Sequence, residues 1–181
     1  MHLENAVIAT IKNNEQLKTA CNSSASLIFD LAPSISSVRQ RAEYCRSFGK
    51  PLFIHLDLVE GIGKDKAGLD FIRQCGVDGI ISTRAAIIKT AKECGLKTVQ
   101  RMFIIDSQSI KSATAILKIN PDMLEIMPGV VPRAIKEFKN VLSVPIIAGG
   151  LIEFESDIKN AFDAGASAAS TSRENLWNYR C

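Results

Sequence analysis

No cysteine pair in this 181-residue chain has the C-x-x-C spacing of a zinc site or a redox motif. The five cysteines are scattered at Cys21, Cys45, Cys75, Cys94 and Cys181, and no secretory signal peptide is expected. Reduced thiols in a cytoplasmic protein are therefore expected, with neither disulfides nor metal ligation. Cys75 and Cys94 each stand just before a glycine, where a helical pattern gives way to an apolar run, and read as small buried hydrophobes. No apolar run approaches the roughly 20 residues of a bilayer-spanning helix, which argues against a membrane anchor. An RNP-like aromatic motif, an arginine-rich run, a low-complexity stretch and a linker are all missing as well. A net charge of +3 permits an acidic or nucleic-acid partner without demanding one.

With 46% hydrophobic residues the chain has enough apolar material for a sizeable core. Short apolar runs alternate with helix-period segments. Strands are expected at Ala6 to Ile11, Ser26 to Leu31, Pro51 to Leu58, Val77 to Thr83, Lys97 to Ile105, Met123 to Met127, Pro145 to Ala148 and Ala166 to Ser170. Helices are expected around Glu15 to Cys21 and at Ser36 to Phe48, Lys66 to Cys75, Ala85 to Cys94, Ser107 to Lys118, Pro132 to Asn140 and Glu155 to Ala164, with one short helix after Arg173. Gly49, Gly76, Gly95 and Gly165 fall where helices should end, Asp106, Ser107 and Ser156 where they should be capped, and Pro132 suits a first turn. Eight strict βα units predict a parallel sheet closed into one compact (β/α)8 TIM barrel spanning residues 1–181 as a single domain, with short loops, since such barrels usually run to about 250 residues.

In such barrels a phosphate sits in the loops after strands seven and eight. Here the seventh strand ends in Ala148-Gly149-Gly150, and the eighth leads through Ser170-Thr171-Ser172 into the next expected helix. Glycine lets an anion approach the backbone, and hydroxyl residues opening a helix present free N–H groups at the positive end of its dipole. Gly149, Gly150, Thr171 and Ser172 are the candidate phosphate cradle.

Polar residues inside strands show which parity faces the barrel interior, because the helix-facing side must be apolar. In the third strand His55 and Asp57 share a parity, in the fifth Arg101 sits with Val99 and Phe103, and in the sixth Glu125 sits with Met123 and Met127. Asp57, Arg101 and Glu125 are thus expected together at the mouth, as either a structural ion network or a ligand clamp. His55, a layer deeper, reads as a hydrogen-bonded core histidine. The loop Glu60-Gly61-Ile62-Gly63-Lys64-Asp65-Lys66 lacks dinucleotide or Walker spacing and is either a solvated loop or a phosphate or RNA contact. Arg39, Arg41, Arg46 and Lys50, and again Lys89, Lys92 and Lys97, form spaced basic groups that are either solvated helix faces or an RNA surface.

His55-Leu56-Asp57-Leu58-Val59-Glu60-Gly61, Asp78 to Arg84, Gln100 to Asp106, Glu125-Ile126-Met127-Pro128-Gly129, Pro145 to Gly150 and Ser170-Thr171-Ser172 form, in this order, a motif series. The series resembles that of the glycerol uptake operon antiterminator regulatory proteins, the GlpP type, from about Lys50 to Trp177. The resemblance implies a cytoplasmic bacterial regulator with a barrel fold that responds to glycerol 3-phosphate. It also implies binding to the leader of glycerol operon mRNA, which prevents premature transcription termination. Under it Gly149, Gly150, Thr171 and Ser172 would hold the phosphate; strand parity then assigns Asp57, Arg101 and Glu125 to the glycerol end. The expected partners are the mRNA leader and the small phosphorylated effector, with room for a homo-oligomer and without a cofactor.

The rival reading is an isomerase or lyase of a small phosphorylated substrate, with Asp57 and Glu125 as acid and base. Short loops and the lack of a lid oppose it, because such enzymes must exclude water from reactive intermediates. A degenerate barrel serving as a protein-interaction module is a third possibility.

Overall fold

The computed structural model describes residues 3–106, 108–109 and 118–180. Eight parallel strands close into a barrel in sequence order, β1 (Ala6–Ile11), β2 (Leu27–Asp30), β3 (Leu52–His55), β4 (Gly79–Ser82), β5 (Lys97–Phe103), β6 (Met123–Met127), β7 (Ile146–Gly149) and β8 (Ala168–Thr171). The closing seam pairs Ala6 with Ala168 and Ala9 with Thr171. Among the described residues six α-helices surround it: α1 (Asn14–Asn22), α2 (Val38–Ser47), α3 (Lys66–Gln74), α4 (Ala85–Glu93), α5 (Pro132–Val141) and α6 (Glu155–Asp163). The helix expected at Ser107 to Lys118 lies largely outside the described residues.

Alternation within the strands divides the apolar residues into two cores. One parity fills the barrel with Ile8, Leu27, Phe29, Phe53, Ile81, Val99, Met123, Ile147 and Ala168. The other, with Val7, Ile28, Ile54, Ile80, Leu124 and Ala148, packs under the helices. Strands of four residues suffice because burial on both faces, rather than length, holds them.

Local signals set the boundaries. Asn13 and Asp65 cap α1 and α3 by accepting from the backbone N–H groups of Gln16 and Gly68. The Asp106 carboxylate accepts from the Ser109 N–H as expected, and Pro132 opens α5. Ser156, expected as a cap, lies inside α6; its neighbour Asp157 satisfies the entry instead, accepting from the N–H groups of Glu153 and Phe154 at 3.0 Å. Gly49, Gly76, Gly95 and Gly165, expected to end helices, all have positive φ.

Two boundary corrections bear on the mouth. The third strand stops at His55, and Leu56–Leu58 form a single 3-10 turn where the strand was expected to run to Leu58. After β8 the expected short helix is likewise one 3-10 turn, Glu174–Leu176. It is held by burial of Leu176 and Trp177 and by the Trp177 indole N–H donating to the Thr171 carbonyl at 2.8 Å.

Candidate functional site

The floor of the mouth is a three-residue polar network. The carboxylate of Glu125 on β6 is 1% exposed and accepts from both sides. Arg101 Nε on β5 donates to its Oε2 at 2.6 Å, and Ser170 Oγ on β8 donates to its Oε1 at 2.7 Å. Register sets up the first contact, since Arg101 and Glu125 are direct neighbours on paired strands. Burial of both charges is tolerated because each is paired.

Gly149 lies beside this network. A Cβ there would come 2.4 Å from Glu125 Oε1 and 2.7 Å from Ser170 Oγ, so glycine is required for the carboxylate to reach its place. Gly150 has a different reason to be glycine: its φ of +74° is left-handed, and the next residue, Leu151, follows at φ +60°. Leu151 is a bulky residue in a conformation such residues avoid, and its side chain is 66% exposed.

Above the floor opens a cavity of about 440 Å³, lined by Arg101, Glu125 and Met127, by Gly150 to Glu153, by Ser170 to Arg173, by Thr10 on β1, and by Lys12 and Leu31 just after β1 and β2. This volume is that of a small-molecule site. The tips of β7 and β8 therefore face one shared space. Thr171 braces the two tips: its hydroxyl donates to the Ile152 carbonyl at 2.7 Å and accepts from the Arg173 N–H at 3.1 Å. Ser172 is exposed and lines the cavity, but a three-residue turn follows it, so the helix dipole expected there is not available.

Asp57 does not join Arg101 and Glu125. Because the strand ends two residues before it, its carboxylate turns to the β4 corner. There it accepts from Ser82 Oγ at 2.9 Å, the Thr83 N–H at 2.8 Å, Thr83 Oγ1 at 3.0 Å and Arg84 Nε at 3.1 Å. Burial would push the Asp57 carboxyl up, but these donors outweigh it and hold it below the usual carboxylate range. His55 is buried as expected, yet its Nδ1 has no hydrogen-bond partner among the described residues. Burial, reinforced by the Arg101 charge, lowers its pKa to about 4.

The basic groups read from the sequence are largely occupied by the scaffold. Arg41 on α2 pairs with fully buried Asp30 on β2 at 2.7 Å and reaches Asn14 on α1. Arg46 donates to the Gly76 carbonyl, and Lys50 to the carbonyls of Ser23 and Ala25. Lys92 donates to the Asn120 carbonyl, and Lys97 pairs with Asp122. In the loop after β3, Lys64 donates to the Asp57 carbonyl and Lys66 pairs with Asp70. Arg39 and Lys89 remain exposed.

Sequence reasoning missed the Asp30–Arg41 pair, the link from Ser170 to Glu125, and Thr10, Lys12 and Arg173 as cavity residues. The signal for the first two cavity residues was present, since positions 10 and 12 continue the inward parity of Ala6 and Ile8. Among the described residues no three His, Cys, Asp or Glu side chains gather as a metal site, and no helix is long and apolar enough to cross a membrane.

The family model for the glycerol-3-phosphate responsive antiterminator matches residues 7–177. The chain belongs to that family. This antiterminator-family chain is 35% identical to the uncharacterized protein YgcP of Escherichia coli (strain K12), over 98% of its own length and 95% of the relative's. Its fold superposes on the glycerol uptake operon antiterminator regulatory protein from Listeria monocytogenes str. 4b F2365 with a TM-score of 0.89 and 31% identity, covering 97% of this chain and 96% of that one. A glycerol uptake operon antiterminator-related protein from Thermotoga maritima MSB8 matches with a TM-score of 0.86 and 26% identity, over 96% and 98% of the two chains. Aldolases far less similar in sequence share the barrel fold alone.

Proposed function

We propose that this antiterminator-family chain is a non-enzymatic cytoplasmic sensor of glycerol 3-phosphate that binds the leader of glycerol operon mRNA and prevents premature termination. The observation that carries the reading is the single cavity shared by the β7 and β8 tips over a fixed polar floor. The phosphate sits against the backbone at Gly150 and Ser172, where a glycine and an exposed serine let it approach closely. The glycerol hydroxyls reach down to Arg101 and Glu125. Gly149 serves this site indirectly, by leaving room for the Glu125 carboxylate, and Thr171 by tying the two tips together. Asp57 acts on the β3–β4 corner and supports the mouth from outside the cavity.

What supports a sensor over an isomerase or lyase is the state of the two acids. Both oxygens of Glu125 already accept strong hydrogen bonds, and Asp57 does not line the cavity, so neither is placed to move a substrate proton. Control of RNA binding then follows from differential affinity, with glycerol 3-phosphate binding the RNA-competent state more tightly than the other.

A gel-shift titration of the operon leader with and without glycerol 3-phosphate tests ligand, RNA and coupling together. RNA affinity that rises with ligand supports the sensor; turnover of glycerol 3-phosphate by the purified protein, lost in Glu125→Gln, would replace it with the enzyme.

A further inference from the structure

The positive charges lining the cavity are unequally committed. Arg101 is bound by Glu125, and Arg173 by Glu153. Lys12 lines the same cavity, is exposed, and its ammonium has no ion-pair or hydrogen-bond partner among the described residues. With three cations against two carboxylates, the lining carries one surplus positive charge, and that charge is Lys12.

Its position is set by the backbone rather than by a side-chain partner. Lys12 follows β1 directly, on the parity that Ala6 and Ile8 send into the barrel. Its own N–H donates to Gln16 Oε1 at 2.9 Å, while Asn13 Oδ1 accepts from the Gln16 N–H at 2.8 Å, so the start of α1 anchors the residue from which the side chain springs. The β1–β8 seam pairs Ala9 with Thr171, which brings the end of β1 alongside Ser172 and Arg173. A fixed stem, a free ammonium and a place on the wall next to the β8 tip are what an anion seated on that tip would meet first.

We infer that Lys12 is the charge partner of the ligand's phosphate and the residue that makes this cavity choose a phosphomonoester over the uncharged polyol; the inference rests on the sensor reading above. Backbone N–H groups hold an anion by partial charges and accept a neutral oxygen at lower gain, so the cradle alone discriminates weakly. A full charge from Lys12 adds a charge-assisted bond that glycerol cannot form. Arg173 is a poorer candidate, because it would have to leave Glu153 first.

The test is calorimetry with glycerol 3-phosphate, inorganic phosphate and glycerol on the wild type, Lys12→Met and Lys12→Arg, at low and high salt. Because Lys12 is exposed, the unliganded melting temperature should be the same in all three proteins. Lys12→Met should bind glycerol 3-phosphate about 10- to 100-fold more weakly, the range for losing one hydrogen bond to a charged group. Lys12→Arg should recover most of the affinity, glycerol binding should be unchanged, and the salt dependence of the wild type should flatten in Lys12→Met. Wild-type binding of glycerol 3-phosphate with equal affinity in Lys12→Met overturns the inference and leaves the sensor reading standing. So does a gel shift in which Lys12→Met binds glycerol 3-phosphate normally but loses the RNA, since Lys12 then reads an RNA phosphate. No binding of glycerol 3-phosphate by the wild type overturns the sensor reading itself.

Discussion

The carboxylate of Glu125 lies over the bare α-carbon of Gly149, close enough that a methyl group there would stand 2.4 Å from Oε1. A glycine that reads as an anion-binding device is thus first a packing device: it lets a buried acid from β6 reach across to Ser170 on β8. Gly149→Ala should destabilise the protein by about 1–3 kcal/mol, the usual cost of forcing atoms into a filled core. Gly150→Ala should cost about 1–2 kcal/mol through its left-handed backbone, since the nearest obstacle is the movable end of Met127. Urea denaturation of both variants checks the ranking.

The buried Arg101–Glu125 pair predicts strong non-additivity. Glu125→Leu leaves the guanidinium without its charge partner and should cost about 3–5 kcal/mol, and Arg101→Met should leave the buried carboxylate with only the Ser170 hydroxyl to compensate it, at a somewhat smaller cost. The double variant should recover most of that stability while failing to bind glycerol 3-phosphate in calorimetry. A double variant that binds normally would place the polyol contacts elsewhere.

Thr171→Val keeps the shape of the side chain and removes its hydroxyl. The Ile152 carbonyl loses its donor and the Arg173 N–H its acceptor, so stability should fall by about 1–3 kcal/mol. Hydrogen exchange should quicken in the loops after both β7 and β8, because this one hydroxyl joins them. Quickening confined to the β8 loop would show that the bond to Ile152 carries nothing.

His55 makes stability depend on pH. Its pKa is lowered to about 4 in the fold, mainly by burial, with the Arg101 charge adding to it and Asp57 opposing. An unfolded histidine titrates near 6.5. Between these values the unfolded chain takes up a proton that the folded chain refuses, so stability is full above about pH 6.5 and declines as pH falls towards 4, by at most about 1.4 kcal/mol per pH unit. His55→Gln should flatten that slope in urea titrations at pH 7, 6 and 5. An unchanged slope would mean that His55 is not the group responsible.

How far the site could be read in advance differs residue by residue. Arg101 and Glu125 were placed together correctly because strand alternation alone points both into the barrel, and the register of β5 against β6 then makes them neighbours. The same alternation misplaced Asp57, since it holds only while the strand lasts. Asp57 is drawn out of line by bonds to Ser82, Thr83 and Arg84, residues 25 to 27 positions away. Thr171 and Ser172 were read as opening a helix; a buried tryptophan closes that end of the barrel in a single turn instead.

The eight strands in order, the two apolar parities and the glycine-tipped seventh strand were written in local order, because strand and helix periods, caps and turn residues act between near neighbours in the chain. Tertiary structure alone decided which charges face the cavity free and which are held. That Arg41 answers Asp30, that Lys50 serves the carbonyls of Ser23 and Ala25, and that Lys12 meets no partner for its ammonium among the described residues depends on how groups from different βα units come together when the barrel closes. A charge shows the same letter in a sequence whether or not it has a partner; its environment exists only once the chain has folded.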